Sequence, residues 1–262
     1  MRLEYIISKI EWLLKKQLKF RRNTELWKIL GTLKARVYGL LFIIPPVHSL
    51  TFEEIISSYS SQKKDIFFIQ IGACDGVQDD PINKFIIRDN WSGILIEPVE
   101  CLYNELTSNY KHFKNIVFEN CAIADKDEIK PFYYLKDTDF RLPSWKKGLG
   151  SFNPDHITLE DKQYLVAQAV DCIRFDTLLT KHNVKRVDLL LIDTEGYDYE
   201  IIKQINFGKI KPDILIYEFC NLNVEDNNKC IRFLINNGYK LYKERTEILA
   251  IREFVDKQLI LK

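Results

Sequence analysis

Short apolar runs alternate with amphipathic segments from Asp65 to the end of the chain. The apolar runs predict strands that are buried on both faces, and the segments between them predict helices. This alternation is typical of an α/β fold with a mostly parallel, doubly wound sheet. A short linker joins the last two runs, which predicts an antiparallel edge strand. The predicted strands are residues 65–71, 93–97, 115–119, 187–193, 213–218, 239–243 and 248–252.

The first 60 residues are predicted to form a basic helical extension, followed by a main domain at residues 61–262. Apolar residues recur at three-to-four spacing near the N terminus, with Lys and Arg on the opposite face. Basic residues outnumber acidic ones between Met1 and Arg36, and such asymmetry indicates an anionic partner. Two interpretations stay open: a helix that packs on the main domain or on a second copy of the chain, and an interfacial helix on an anionic membrane.

Residues 136–169 interrupt the alternating pattern inside the main domain. This segment contains Pro143, Gly148 and Gly150 and few apolar runs. Loops of this length in a compact domain are usually functional lids or disordered segments. The aromatic residues of the segment favour a lid or an acceptor-binding insertion, because they offer apolar surface for stacking on a sugar. They are Phe140, Trp145, Phe152 and Tyr164.

The overall charge and the cysteine pattern restrict the classes of partner and compartment. The formal net charge is +1, so a nucleic-acid partner is not expected. None of the six cysteines forms a C-x-x-C motif, which disfavours a structural zinc site and favours a reducing compartment. The longest apolar run near the N terminus, residues 37–46, is shorter than a membrane-spanning helix requires. We therefore expect a cytoplasmic protein that is either free or peripheral to the membrane.

The first predicted strand ends in a turn with two glycines, Gly72 and Gly76, in the run F-I-Q-I-G-A-C-D-G. Glycines at this position let a ligand approach the backbone closely. The third glycine of a dinucleotide fingerprint is missing, which disfavours a bound pyrophosphate. Glu97 ends the second strand, before Pro98, where a carboxylate binds a ribose diol. Together these features indicate an adenosine ligand without a demanding phosphate, and S-adenosylmethionine fits that description.

Carboxylates follow two further strands that are expected to end at the same edge of the sheet. Asp193 and Glu195 follow one strand, and Glu218 ends the neighbouring one. Such a group can orient a hydroxyl, act as a general base or hold a divalent cation. For Glu195 an alternative is that it caps the following helix.

Five motifs, in this order and spacing, resemble those of the FkbM family of methyltransferases. The resemblance covers residues 65–252 and implies a class I Rossmann-like methyltransferase fold. It also implies S-adenosylmethionine as methyl donor and transfer to a hydroxyl of a sugar, glycan or natural product. The motifs are Phe68–Gly76, Ile96–Pro98, Asn120–Ala124, Asp171–Leu179 and Asp188–Gly196.

Carried over position by position, the resemblance also implies a cofactor site. The glycine turn would line the methionine end of the cofactor, Glu97 would hold the ribose, and the segment after the third strand would flank the adenine. The implied residues are Gly72, Ala73, Asp75, Gly76, Glu97, Pro98, Asn120, Cys121 and Ala122.

Two residues depart from the family pattern. Gln70 stands where many class I enzymes carry an acidic residue, which opens the question of how the amino group of the cofactor is held. Leu191 stands where the family often carries Lys, so that cation is missing near the acceptor.

Methyl transfer to a hydroxyl needs a base that takes the proton. The candidates are Asp193, Glu195, Glu218 and, in the insertion, His156. A divalent metal at the strand-end carboxylates is an option by analogy with catechol O-methyltransferase-like enzymes. Two other classes stay open: a non-catalytic adenosine-ligand-binding or scaffold protein, and an NAD-dependent oxidoreductase, which would be expected to carry the missing glycine.

Overall fold

The structure, a computed structural model, describes residues 45–136, 146–156 and 161–260. These described residues belong to one compact unit. The predicted N-terminal amphipathic helix falls in residues 1–44, outside the described residues, as do Phe140, Pro143 and Trp145 of the insertion.

Eleven strands occur in the described part of the chain. They are β1 (Phe67–Ile71), β2 (Ser92–Ile96), β3 (Ile116–Glu119), β4 (Ala122–Ile123), β5 (Glu128–Leu135), β6 (Gly150–Ser151), β7 (Leu165–Ile173), β8 (Leu189–Ile192), β9 (Ile214–Glu218), β10 (Tyr239–Glu244) and β11 (Glu247–Arg252).

Seven of these strands form the central sheet, in the order β10-β11-β9-β8-β1-β2-β3. The pairs from β3 through to β9 are parallel, and β11 pairs antiparallel with both β9 and β10. The prediction of a mostly parallel sheet with an antiparallel edge is therefore confirmed. The four residues of β8 are all buried, as expected for a strand that is covered on both faces.

Helices cover both faces of the central sheet, and the apolar residues on each face form a separate core cluster. No helix in the described residues is long and apolar enough to cross a membrane. The helices are α1 (Phe52–Gln62), α2 (Asn83–Asp89), α3 (Glu100–Asn109), α4 (Phe175–Lys181), α5 (Asp198–Ile202), α6 (Val224–Asn236) and α7 (Glu253–Ile260).

Helix α1 belongs to the compact unit. Its first turn is fixed by a capping box, in which the Thr51 hydroxyl accepts the Glu54 backbone N–H and the Glu54 carboxylate accepts the Thr51 N–H. Ile55 and Ile56 of α1 are buried in the core. The predicted domain boundary at residue 60 falls inside this helix.

A second, smaller sheet has the order β4-β7-β5-β6 and was not predicted from the sequence. Strands β5 and β7 pair antiparallel over eight residues, from Glu128 opposite Cys172 to Leu135 opposite Leu165. The predicted insertion therefore emerges from the end of a long ribbon, and β7 includes its last five residues, 165–169.

Candidate functional site

Three adjoining cavities open where the parallel strands of the central sheet end. One cavity, of about 470 Å³, extends from β1 and β2 to β8, β9 and the β10–β11 turn, and we call it the larger cavity because it is larger than the slot beside it. A narrow slot of about 50 Å³ lies beside it and shares Gly72, Glu97 and Asp193 with it. An outer cavity of about 480 Å³ shares Glu195 and Glu218 with the larger one.

The glycine turn brings the end of β1 against the ends of its neighbours. Gly72 has a φ of 81°, and a Cβ at this position would lie 1.8 Å from the Asp193 carbonyl oxygen. The backbone N–H groups of Gly72 and Ala73 both donate to the Ile96 carbonyl, at 3.0 and 2.9 Å. Only glycine fits this close contact between β1 and the segment after β8.

The rest of the turn makes contacts within the protein. Asp75 accepts the backbone N–H groups of Val77 and Gln78 and forms an ion pair with Lys147. A Cβ at Gly76 would clash with Leu106 and Tyr110, so this glycine permits close packing of the turn on α3 and its C-terminal end. Neither Asp75 nor Gly76 lines any of the three cavities.

Glu97 lies at the wall between the larger cavity and the slot. Its Oε2 accepts the Cys74 backbone N–H and its Oε1 accepts the Val99 backbone N–H, both at 2.9 Å. Burial raises its pKa to about 8, although these two hydrogen bonds lower it. A carboxylate has about four acceptor sites, so each oxygen can still accept a hydroxyl from a ligand.

The narrow slot is mainly apolar. Pro98, Cys121 and Ala122 line it together with Phe152 and Tyr197, whose rings pack edge to face at 5.2 Å. Asn120 lies outside the slot, and its side-chain amide donates to the Glu97 and Pro98 carbonyl oxygens at 2.8 and 3.2 Å. Asn120 therefore fixes the backbone beside the slot and does not line it.

Asp193, Glu195 and Glu218 form a carboxylate cluster, with one oxygen of each within 4.8 Å of the others. The Asn221 side-chain amide donates to Glu195 Oε2 at 2.6 Å and to Glu218 Oε2 at 2.7 Å. Burial, and then the charge of Glu218, raise the pKa of Glu195 to about 8 and that of Asp193 well above its usual value. The cluster can therefore take up a proton near neutral pH or hold a cation.

Glu195 does not cap the following helix. The residue before α5 is Tyr197, and no side chain caps this helix. Glu195 instead has a left-handed backbone, with a φ of 52°, and its carboxylate accepts the Asn221 amide. The alternative role that the sequence left open for Glu195 is thus wrong.

Asp198 holds the cluster together, and it was not among the residues predicted from the sequence. Its side chain is fully buried. Its Oδ2 accepts the Thr194 hydroxyl at 3.0 Å and the Gly196 N–H at 3.3 Å, while its Oδ1 accepts the Glu218 N–H at 3.1 Å. Burial raises its pKa to about 7. The feature of the sequence that could have identified Asp198 is its position two residues after Gly196, the last residue of a family motif.

His156 lies in the outer cavity, which Glu195 and Glu218 also line. Its Nδ1 is 3.2 Å from the Ser151 hydroxyl. The structure therefore places the four predicted candidate bases around the junction of the larger and outer cavities. Lys147 also lines the larger cavity from the insertion and pairs with Asp75 and Glu105; no sequence pattern identified it.

Comparison of the fold with solved structures finds methyltransferases that have low sequence identity to this chain. Methyltransferase FkbM from Methylobacillus flagellatus KT has 12% identity and a TM-score of 0.47, over 72% of this chain and 43% of that one. The match thus spans less than half the length of that protein. Precorrin-6y C5,15-methyltransferase from Geobacter metallireducens GS-15 has 12% identity and a TM-score of 0.38, over 79% and 93% of the two chains. No curated protein matches the sequence.

A family comparison covers more than half of the chain. The family model of the methyltransferase FkbM domain matches residues 70–241. This range begins in β1, includes Glu97 and the whole carboxylate cluster, and ends in β10. The chain therefore belongs to the FkbM methyltransferase domain family.

Proposed function

We propose that this protein is an S-adenosylmethionine-dependent O-methyltransferase that acts on a hydroxyl of a sugar, glycan or natural product. The observation that carries the proposal is the position of Glu97, a buried carboxylate between an apolar slot and a larger acidic cavity. A nucleoside has the matching order of groups, because a flat apolar base is joined to a ribose diol.

The residues around these cavities fit the parts of the cofactor. The apolar slot beside Pro98 and Ala122 suits the adenine, and Glu97 can accept the ribose hydroxyls. The larger cavity is lined by the carboxyl groups of Asp193, Glu195 and Glu218, and a sulfonium cation beside them would stabilise their ionised forms. The close approach at Gly72 keeps this part of the site free of side chains.

When bound, S-adenosylmethionine supplies a methyl group that the acceptor oxygen takes directly from the positively charged sulfur. The chain has to hold that oxygen in line with the carbon–sulfur bond and accept the hydroxyl proton. Glu195, with a pKa of about 8, can accept the proton near neutral pH, and Asp193 and Glu218 lie beside it. Asn221 fixes two of these carboxylates by its amide.

The outer cavity suits the acceptor, because it meets the larger cavity at Glu195 and Glu218 and is lined by polar side chains. An acceptor hydroxyl held there would face the carboxylate cluster, with His156 as a second candidate base. A divalent cation at the cluster would assist by polarising the same hydroxyl. The proposal does not require a metal ion, and its effect is tested by adding one to the assay.

The first test is calorimetric titration of S-adenosylmethionine into wild type and Glu97→Ala. We expect micromolar binding to wild type and at least a 10-fold loss in the variant. The matched control is Glu119→Gln, at the end of the adjacent strand β3. Glu119 is a buried carboxylate that pairs with Lys181 and His182 and lines none of the three cavities. Its variant should bind like wild type.

Two results of this titration would redirect the assignment. Preference for NAD would favour an oxidoreductase, and no binding of either nucleotide to wild type would favour a scaffold protein. With binding established, methyl transfer to a panel of sugars, each with and without added Mg²⁺, would identify the acceptor class.

The basic N-terminal residues suggest that the acceptor is assembled at a membrane. In this proposal the protein is cytoplasmic and contacts anionic lipid through residues 1–44. Truncation after Ile44 is the suitable variant because Pro46 already belongs to the compact unit, where its carbonyl accepts the Lys243 N–H at 3.0 Å. Unchanged partitioning of the truncated protein onto anionic vesicles would exclude the membrane role.

A further inference from the structure

One end of the larger cavity is lined by residues that the slot and the outer cavity do not share. We call it the Gln70 end, and define it by Gln70, Asp80 and Glu247. These residues come from β1, from the turn before α2 and from the first position of β11. None of them has a part in the methyl transfer described above.

Gln70 carries an unpaired polar atom at this end. Its side-chain Nε2 donates to Asp80 Oδ2 at 2.9 Å, and the residue is 3% exposed. Its Oε1 is buried and has no hydrogen-bond partner in the described part of the chain. Turning the amide over would place Oε1 against the Asp80 carboxylate, so Asp80 fixes the orientation in which Oε1 is the free acceptor.

Two carboxyl groups lie at the Gln70 end, and a bound cation would stabilise their ionised forms. Asp80 Oδ1 accepts the Ile82 and Asn83 backbone N–H groups at 2.7 and 2.8 Å. Among the described residues Asp80 has no cationic partner. Burial raises the pKa of Asp80. Burial and the charge of Glu218 raise the pKa of Glu247 to about 7, with a smaller contribution from Asp80.

A ligand group that satisfies this end must donate hydrogen bonds and carry positive charge. A hydroxyl would satisfy Oε1 but would leave the carboxylates uncompensated. An alkyl ammonium does both, because it has three N–H donors and a compact positive charge. Lys147, the basic residue of this cavity, is held by Asp75 and Glu105.

We propose that the Gln70 end binds a primary ammonium group, with Gln70 Oε1 accepting a hydrogen bond from it and Asp80 and Glu247 supplying the opposite charge. The amino group of the methionine portion of S-adenosylmethionine is one source, and this assignment rests on the proposed function. An amine on the acceptor is the other source. Asp80 is hydrogen-bonded to the neutral side-chain amide of Gln70. It thereby supplies the negative charge that an acidic residue at position 70 would supply.

The test compares two nucleosides that differ in the amino-acid tail. S-adenosylhomocysteine has the tail, and 5′-methylthioadenosine shares its adenosine and thioether but lacks the tail. Calorimetry gives the ratio of their affinities for wild type, Gln70→Leu and Asp80→Asn. Gln70→Leu removes Oε1. Asp80→Asn can keep the backbone hydrogen bonds to Ile82 and Asn83 but removes the charge and the contact that fixes the orientation of the Gln70 amide.

We expect both variants to lower the affinity ratio at least about 10-fold, the effect of losing a charge-assisted hydrogen bond. Binding of 5′-methylthioadenosine should stay within about 2-fold of wild type, which also shows that the variants are folded. An independent readout is the NMR signal of the Gln70 side-chain amide during titration of wild type with methylammonium chloride, with tetramethylammonium as the control that cannot donate.

The outcomes separate the two proposals. A lowered ratio in both variants assigns the site to the amino group of the cofactor. An unchanged ratio together with a specific methylammonium shift assigns it to an amine of the acceptor. An unchanged ratio without that shift overturns the ammonium site. If wild type binds neither nucleoside, the proposed function fails, and the methylammonium titration alone then supports or overturns the site.

Discussion

Replacement of Asp198 by alanine is expected to lower the free energy of unfolding by about 2–4 kcal/mol. Asp198 is the fully buried partner of two backbone N–H groups, those of Gly196 and Glu218. Each buried donor left without a partner costs about 1–3 kcal/mol. Part of this loss is offset, because removing the Asp198 charge also relieves its repulsion of Asp193 and Glu195.

Urea unfolding followed by circular dichroism measures this change directly, and the melting temperature should fall by roughly 5–15 °C. Asp198→Asn should lose less, since its amide keeps one acceptor oxygen and the shape of the side chain. The matched control is Asp176→Ala, which removes an aspartate from the first turn of α4 and should cost less than about 1 kcal/mol. A loss in Asp198→Ala no larger than in this control would refute the reasoning.

Three further outcomes are expected. Gly72→Ala should abolish cofactor binding or folding, because its Cβ would lie 1.8 Å from the Asp193 carbonyl oxygen at a φ of 81°; wild-type binding by calorimetry would contradict this. Arg245→Gly, at an exposed hairpin position with a φ of 50°, should raise the unfolding free energy by up to about 1 kcal/mol; a loss of stability in urea would contradict the strain. Stability should fall as pH rises from about 5 to about 8, because the folded protein holds protons on Glu97 and Glu195, with pKa values of about 8, that unfolded carboxyls release near 4.5. The stabilisation from these two protonated carboxyls is complete below their pKa in the unfolded chain and is lost as the pH rises through their pKa in the folded protein. Equal stability at pH 5.5 and pH 8 would contradict this prediction.

The central sheet could be predicted because its strands are nearly continuous apolar runs. The second sheet could not, because most residues of β5 and β7 are exposed or only partly buried. Their pairing buries few side chains, so the sequence carries neither an apolar run nor a clear alternation there. The backbone ladder of eight residue pairs holds this ribbon together, with two small apolar clusters that include Tyr134, Val170 and Cys172.

The residues of the site could likewise be predicted only where the strand pattern placed them. Glu97, Asp193 and Glu218 were identified because parallel strands end at one edge and residues following them converge there. Asn221 and Lys147 depend on contacts with Glu195 and Asp75, which are distant in the chain, and spacing does not reveal such contacts. Asp75 and Gly76 make contacts that fix the backbone of the turn, and their implied part in cofactor binding stays a prediction.

The ribbon of β5 and β7 has a consequence for how this protein can change in evolution. Its last pair, Leu135 and Leu165, holds the two ends of the insertion side by side. The insertion supplies Gly150, Ser151 and His156 to the outer cavity, while the cluster carboxylates come from the central sheet. Anchored at both ends, such a segment can be lengthened or exchanged at little entropic cost. Under the proposed function, grafting this segment between homologues would change the acceptor preference, provided that Phe152 and Lys147 are retained, because they line the slot and the larger cavity.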